Sequence, residues 1–128
     1  MSNAQPQWIA LNLDEGIYLK AIPDEKTHFI LVIEGLNSVH SDYQRVKSEL
    51  GFHSVPESGL LFRRMPRNSI KPSFFQKVWP TAHATPLSTF SRDQYMVTPE
   101  QRNEIKALSD ALREQAVARG VASPRFNV

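Results

Sequence analysis

The run Phe29-Ile-Leu-Val-Ile33 is apolar at every position, and it constrains this chain more than any other segment. It is far too short to cross a membrane as a helix, which takes roughly 20 residues. A continuous rather than alternating apolar stretch of this length requires cover on both faces or a central place in a sheet. Gly16-Ile-Tyr-Leu-Lys-Ala-Ile22, also rich in β-branched and aromatic residues, precedes it, and Pro23-Asp-Glu-Lys-Thr27 between the two has turn chemistry. The spacing predicts an antiparallel hairpin of strands 16–22 and 28–34, with a further short strand around Trp8 to Leu13.

Helical signals follow. Ser41 and Gln44 have capping-box spacing, and Tyr43, Val46 and Leu50 then recur at helical intervals before Gly51, giving a helix over 42–50. Pro56-Glu-Ser-Gly59 is a turn, and Leu60-Leu-Phe-Arg-Arg-Met65 reads as a strand closed by Pro66. Pro72 suits the first turn of a short helix whose apolar face is Phe74, Phe75 and Val78, and Pro80 stops it. Thr81 to Ser91 has no period and reads as an ordered loop pinned by Leu87 and Phe90. Thr98-Pro-Glu-Gln101 then starts a helix over 99–119, with Ile105, Leu108, Leu112 and Ala116 in a narrow stripe that ends at Gly120.

These elements predict an α+β fold: a small, mainly antiparallel sheet of the 16–22, 28–34 and 60–65 strands, packed with two short helices and one longer C-terminal helix. The expected core is Ile17, Leu19, Phe29, Leu31, Ile33, Val46, Leu50, Leu61, Phe74, Val78, Ile105, Leu108 and Leu112. Residues 1–97 form the core domain, 98–119 a helix packed on that core or on a partner, and 120–128 a tail. A chain of 128 residues supports one hydrophobic core. With 41% hydrophobic and 22% charged residues it falls outside the signature of disorder.

Several kinds of chemistry are excluded or poorly supported. The absence of cysteine removes disulfides, thiolate zinc sites and a cysteine nucleophile together. His28, His40, His53 and His83 include no pair at the i, i+4 spacing of a helical zinc motif, and the nearest local set, His40, Asp42 and His53, reads as a cap or surface group. No Gly-x-Ser-x-Gly elbow occurs, and Ser38, Ser41, Ser69 and Ser73 sit where capping explains them. The five glycines build neither a Walker loop nor a dinucleotide fingerprint. Asp14-Glu15 and Asp24-Glu25 lie on turns where adjacent carboxylates project apart. No catalytic residue, metal or cofactor is assigned, and a small hydrolase ranks third, dependent on a histidine and a carboxylate meeting in a cleft. The start, Met1 to Pro6, lacks the pattern of a signal peptide, and no apolar run is long enough to span a membrane, so the chain reads as soluble and cytoplasmic with no membrane partner.

Charge is the feature that rises above this background. The net charge is only +2, but residues 1–57 hold eight acids and four bases, whereas residues 58–92 hold six bases and no acid. A surface built from the second stretch attracts polyanions, and aromatic faces beside it add base stacking. Arg63 and Arg64 point to opposite faces of one strand, so only one joins a given patch. Arg64, Arg67, Lys71 and Lys77 form the expected binding surface, for nucleic acid or an acidic protein. The acidic N-terminal stretch can instead lie against the basic one and cancel its field. The alternative is a structural subunit that oligomerises through Ile105, Leu108 and Leu112.

Phe29-Ile-Leu-Val-Ile-Glu-Gly-Leu-Asn-Ser38, Tyr43-Gln-Arg-Val-Lys-Ser-Glu-Leu-Gly-Phe52 and Gly59-Leu-Leu-Phe-Arg-Arg64, with Phe75-Gln-Lys-Val-Trp-Pro-Thr-Ala82, resemble a small accessory module of large phage and plasmid polyvalent proteins of the antirestriction type. His53-Ser-Val-Pro56 stands in place of the tryptophan-centred pattern that follows Leu-Gly-Phe in that family. The resemblance implies an origin in a mobile element, or a domain of a larger protein, and brings no catalytic residues with it.

Overall fold

In the computed structural model, which describes residues 6–118, the apolar run lies in β3 (His28–Glu34), an inner strand of a four-stranded antiparallel sheet. β2 (Tyr18–Asp24) pairs on one side of it and β5 (Leu61–Pro66) on the other, with the two-residue β4 (His53–Ser54) beyond β5. The register sets Leu19 against Ile33, Ala21 against Leu31, and Ile33 against Leu61, so these residues share one face. Ile22, Ile30, Val32 and Phe62 share the other. Both sets are buried, which is the condition a run without polar alternation imposes.

Under the first face lies α1 (Ser41–Leu50), which contributes Tyr43, Val46 and Leu50, and the core continues through Trp8, Ile9, Phe75, Val78 and Trp79. The helix is capped one residue earlier than its sequence suggests. The His40 ring, held through Nε2 by Glu15 Oε1 at 3.0 Å, accepts the Asp42 N–H at Nδ1, also at 3.0 Å. The ring thus does what the Ser41 hydroxyl was expected to do. At the other end Gly51 takes the left-handed conformation, φ 72°, that closes the helix.

A second, two-stranded antiparallel sheet joins β1 (Gln7–Ala10) to β6 (His83–Pro86), inside the stretch expected to be a loop. Most β6 side chains are exposed, so backbone pairing alone defines the strand and leaves no hydrophobic pattern to read. Phe90 is buried in the core and Leu87 packs against it. α2 (Pro72–Phe75) is a single turn: Phe75 and Val78 are buried as expected, but Phe74 is only half-buried. α3 (Arg92–Tyr95) follows from a Ser91/Gln94 capping box. The outer edge of β2 is blocked as a template for further pairing, because the Trp8 indole N–H donates to Leu19 O at 2.8 Å and Pro23 has no N–H to offer.

The fold is therefore α+β and antiparallel throughout, with one sheet more than the sequence suggested. The chain divides into two compact units, one through Val97 and one from Thr98 onward. In the second, Thr98 and Gln101 form the expected box: the Gln101 N–H donates to Thr98 Oγ1 at 3.2 Å, and α4 (Pro99–Ala118) follows. Ile105 is buried, and Leu108 and Leu112 are half-buried. The expected helix end at 119 and the 120–128 tail lie outside the described residues. No helix among the described residues is long and apolar enough to cross a membrane.

Candidate functional site

The basic stretch is divided by the alternation of β5. Arg64 projects to the same face as Ile30 and Asp24, where its Nε donates to Asp24 Oδ2 and its Nη2 to Glu25 Oε1, both at 2.6 Å. Asp24 is only 3% exposed, so this is a desolvated ion pair, and Glu25 reaches it from a backbone with φ 61°. Part of the acidic N-terminal segment thus meets the basic stretch here, and Arg64, one of the four expected binding residues, is paired within the fold. Arg63, on the opposite face, donates from Nη1 to Leu50 O at 2.6 Å. It places a positive charge on the carbonyl end of α1. Its guanidinium also lies 5.3 Å from the centre of the Phe74 ring.

Past Pro66 the chain turns away from the sheet, and the charges turn outward with it. Arg67 begins a 3-10 turn anchored by its own N–H, which donates to Thr27 O at 2.8 Å. Its side chain crosses back over Phe29, with Cζ 3.9 Å from the ring centre. At that distance the guanidinium sits over the ring in close cation–π contact. Phe29 is itself held edge-on by Trp8 at 5.7 Å and 83°, and Trp8 in turn meets Tyr95 of α3 at 5.2 Å and 80°. The indole N–H bond to Leu19 O ties this series of rings to the sheet. Burial raises the Tyr95 phenol above its ordinary pKa, while the Arg67 charge pulls it in the opposite direction.

Arg67, Phe29, Trp8, Ile70 and Lys71 line an open groove of about 320 Å³, whose wall holds no acidic residue among the described residues. Lys71 enters it from an extended residue directly before Pro72, the conformation a following proline favours. Lys77 stands elsewhere, its Nζ 5.9 Å from the Phe74 ring and its carbonyl accepting a hydrogen bond from Arg45. Among the described residues Arg67, Lys71 and Lys77 form no ion pair, and all three are exposed. The four expected residues therefore fall into three settings: Arg64 paired, Arg67 and Lys71 together in a groove, and Lys77 beside Phe74.

Sequence reasoning missed the platform on which Arg67 lies. Phe29 reads as core because it opens the apolar run, yet it is half-buried. The usable signal is register: in an antiparallel sheet, the residue just past the end of β5 returns opposite the start of β3. Trp8 and Tyr95 reach the site by long-range packing and left no local signal.

Of the other polar sets, His40 meets Glu15 at 3.0 Å and Asp42 at 3.8 Å, but its Nδ1 is occupied by the α1 cap. His53, at the sheet edge against Phe62, is held below the ordinary histidine pKa by partial burial and then by the Arg63 and Lys47 charges. Among the described residues no group of three or more His, Cys, Asp or Glu is placed to hold a metal ion. No family model, curated protein or solved structure matches the chain.

Proposed function

We propose that this chain is a noncatalytic binding module that engages nucleic acid through Arg67, Lys71 and Lys77. The observation that carries the reading is that Arg67 and Lys71 line one open groove free of acids, with Phe29 beneath the guanidinium. Unpaired cations supply the phosphate attraction, and the aromatic support favours a polyanion that carries rings over an acidic protein surface. Arg64 is left out of this surface because Asp24 and Glu25 already satisfy its charge. The likeness of the 29–64 and 75–82 segments to accessory modules of phage and plasmid proteins makes a mobile genetic element the proposed setting.

Fluorescence anisotropy of labelled DNA and RNA, at about 50 and 200 mM salt, tests this reading. Binding should weaken steeply with salt and should be lost when Arg67, Lys71 and Lys77 all become alanine. An absence of binding at low salt, or binding unchanged in the triple variant, would overturn it. An acidic protein partner would then become the better account. Sedimentation of the same preparation addresses self-association through Leu108 and Leu112, which a monomer at high concentration removes.

A further inference from the structure

The groove contains more than charge. It offers a guanidinium over an aromatic ring, a second cation, Lys71, in the same wall, and apolar side chains from Trp8 and Ile70. Ligand sites begin at roughly 300 Å³, so a groove of about 320 Å³ has room for one ring-sized group rather than an extended ligand. We infer that it receives a single unpaired base of a single-stranded nucleic acid, stacked on the outer face of the Arg67 guanidinium, with Lys71 on an adjoining phosphate. This inference rests on the nucleic-acid reading above and specifies the strand form and the stacking residue.

Three features support the assignment. Arg67 is exposed, so its side chain is accessible to a ligand. That guanidinium is preorganised, because it rests on Phe29, and Trp8, bonded to Leu19 O, packs edge-on against Phe29. Arginine planes stack on unpaired bases, whereas bases within a duplex present only their edges.

The test compares two single strands of about a dozen nucleotides, an oligothymidylate and an abasic strand of the same length, against the wild-type chain and Arg67→Lys. The substitution keeps the charge and removes the plane at an exposed position, so the fold is preserved. The wild type should bind oligothymidylate about tenfold more tightly than the abasic strand, and Arg67→Lys should abolish most of that difference. Phe29→Leu, with its melting curve measured alongside, should reproduce the loss through the missing support. Equal wild-type affinities for the two strands, or an oligothymidylate affinity that survives Arg67→Lys, would overturn the stacking assignment while leaving phosphate-driven binding intact. Binding to neither strand would remove both the assignment and the reading beneath it.

Discussion

Arg63 and Arg64 lie in the middle of one strand, while Arg67 and Lys71 follow only a few residues later, and the two pairs have opposite fates. The strand pair is consumed by the fold: Arg64 by the Asp24 and Glu25 carboxylates, Arg63 by the terminal carbonyl of α1. The pair beyond Pro66 is exposed and pairs with no carboxylate among the described residues. An acid-free stretch of sequence is therefore not an acid-free surface. In a strand, alternation sends each cation to a face whose neighbours come from distant segments. In a turn, the side chains have fewer neighbours to answer to.

If this division is correct, the two pairs should respond to substitution in opposite ways. The largest expected effect is at the buried ion pair. Asp24→Ala leaves Arg64 desolvated with only the half-exposed Glu25, and should cost about 3–5 kcal/mol in urea denaturation. Replacing Arg64 as well, as in Asp24→Leu with Arg64→Met, should recover the part of that loss that comes from the orphaned Arg64 charge. A double variant as unstable as the single one would break the argument. Next in size is Arg63→Ala, which removes a charged donor from Leu50 O and should cost about 1.5–3 kcal/mol. Arg67→Ala and Lys71→Ala should change stability by no more than about 0.5 kcal/mol. Each should instead lower the salt dependence of single-strand binding by about 0.7 in log–log slope.

Legibility of the sequence follows the same divide between local and distant causes. The β2–β3 hairpin, α1, β5 and the start of α4 are readable because their signals lie within a few residues: β-branched runs, turn chemistry, and the Thr98-Pro-Glu-Gln101 box. β6 was not readable, since its pairing with β1 is long-range and its exposed side chains follow no period. Of the candidate site, the cations Arg67 and Lys71 were legible as charge. The Trp8 and Phe29 rings that line the groove, with Tyr95 packed against Trp8, were not, because the three lie on three separate elements. Choosing Arg64 over Arg63 for the surface could not be settled by alternation alone, which says only that the two diverge. The partners that remove both from the surface, Asp24 and Leu50 O, come from β2 and α1.

Two titrating groups offer the finest comparison, since each lies beside one member of the two pairs. His53 is held low by partial burial and then by Arg63 and Lys47, so the folded chain binds its proton less tightly than the unfolded chain does. Stability associated with this ring is complete above the ordinary value of 6.5 and declines as pH falls through it. Arg63→Ala should raise the His53 pKa, read by NMR of the ring protons, and should reduce that acid-side loss. Tyr95 is held high by burial, with Arg67 opposing, so its contribution is complete below the ordinary value of 10.0 and declines as pH rises through it. Arg67→Ala removes only the opposing charge, and should move the Tyr95 pKa further upward in a tyrosinate absorbance titration referenced to Tyr95→Phe. The effect is small, but its direction is diagnostic. A Tyr95 titration indifferent to Arg67 would mean that the guanidinium leaves the Phe29 ring in solution, and the preorganised platform on which base stacking depends would be absent.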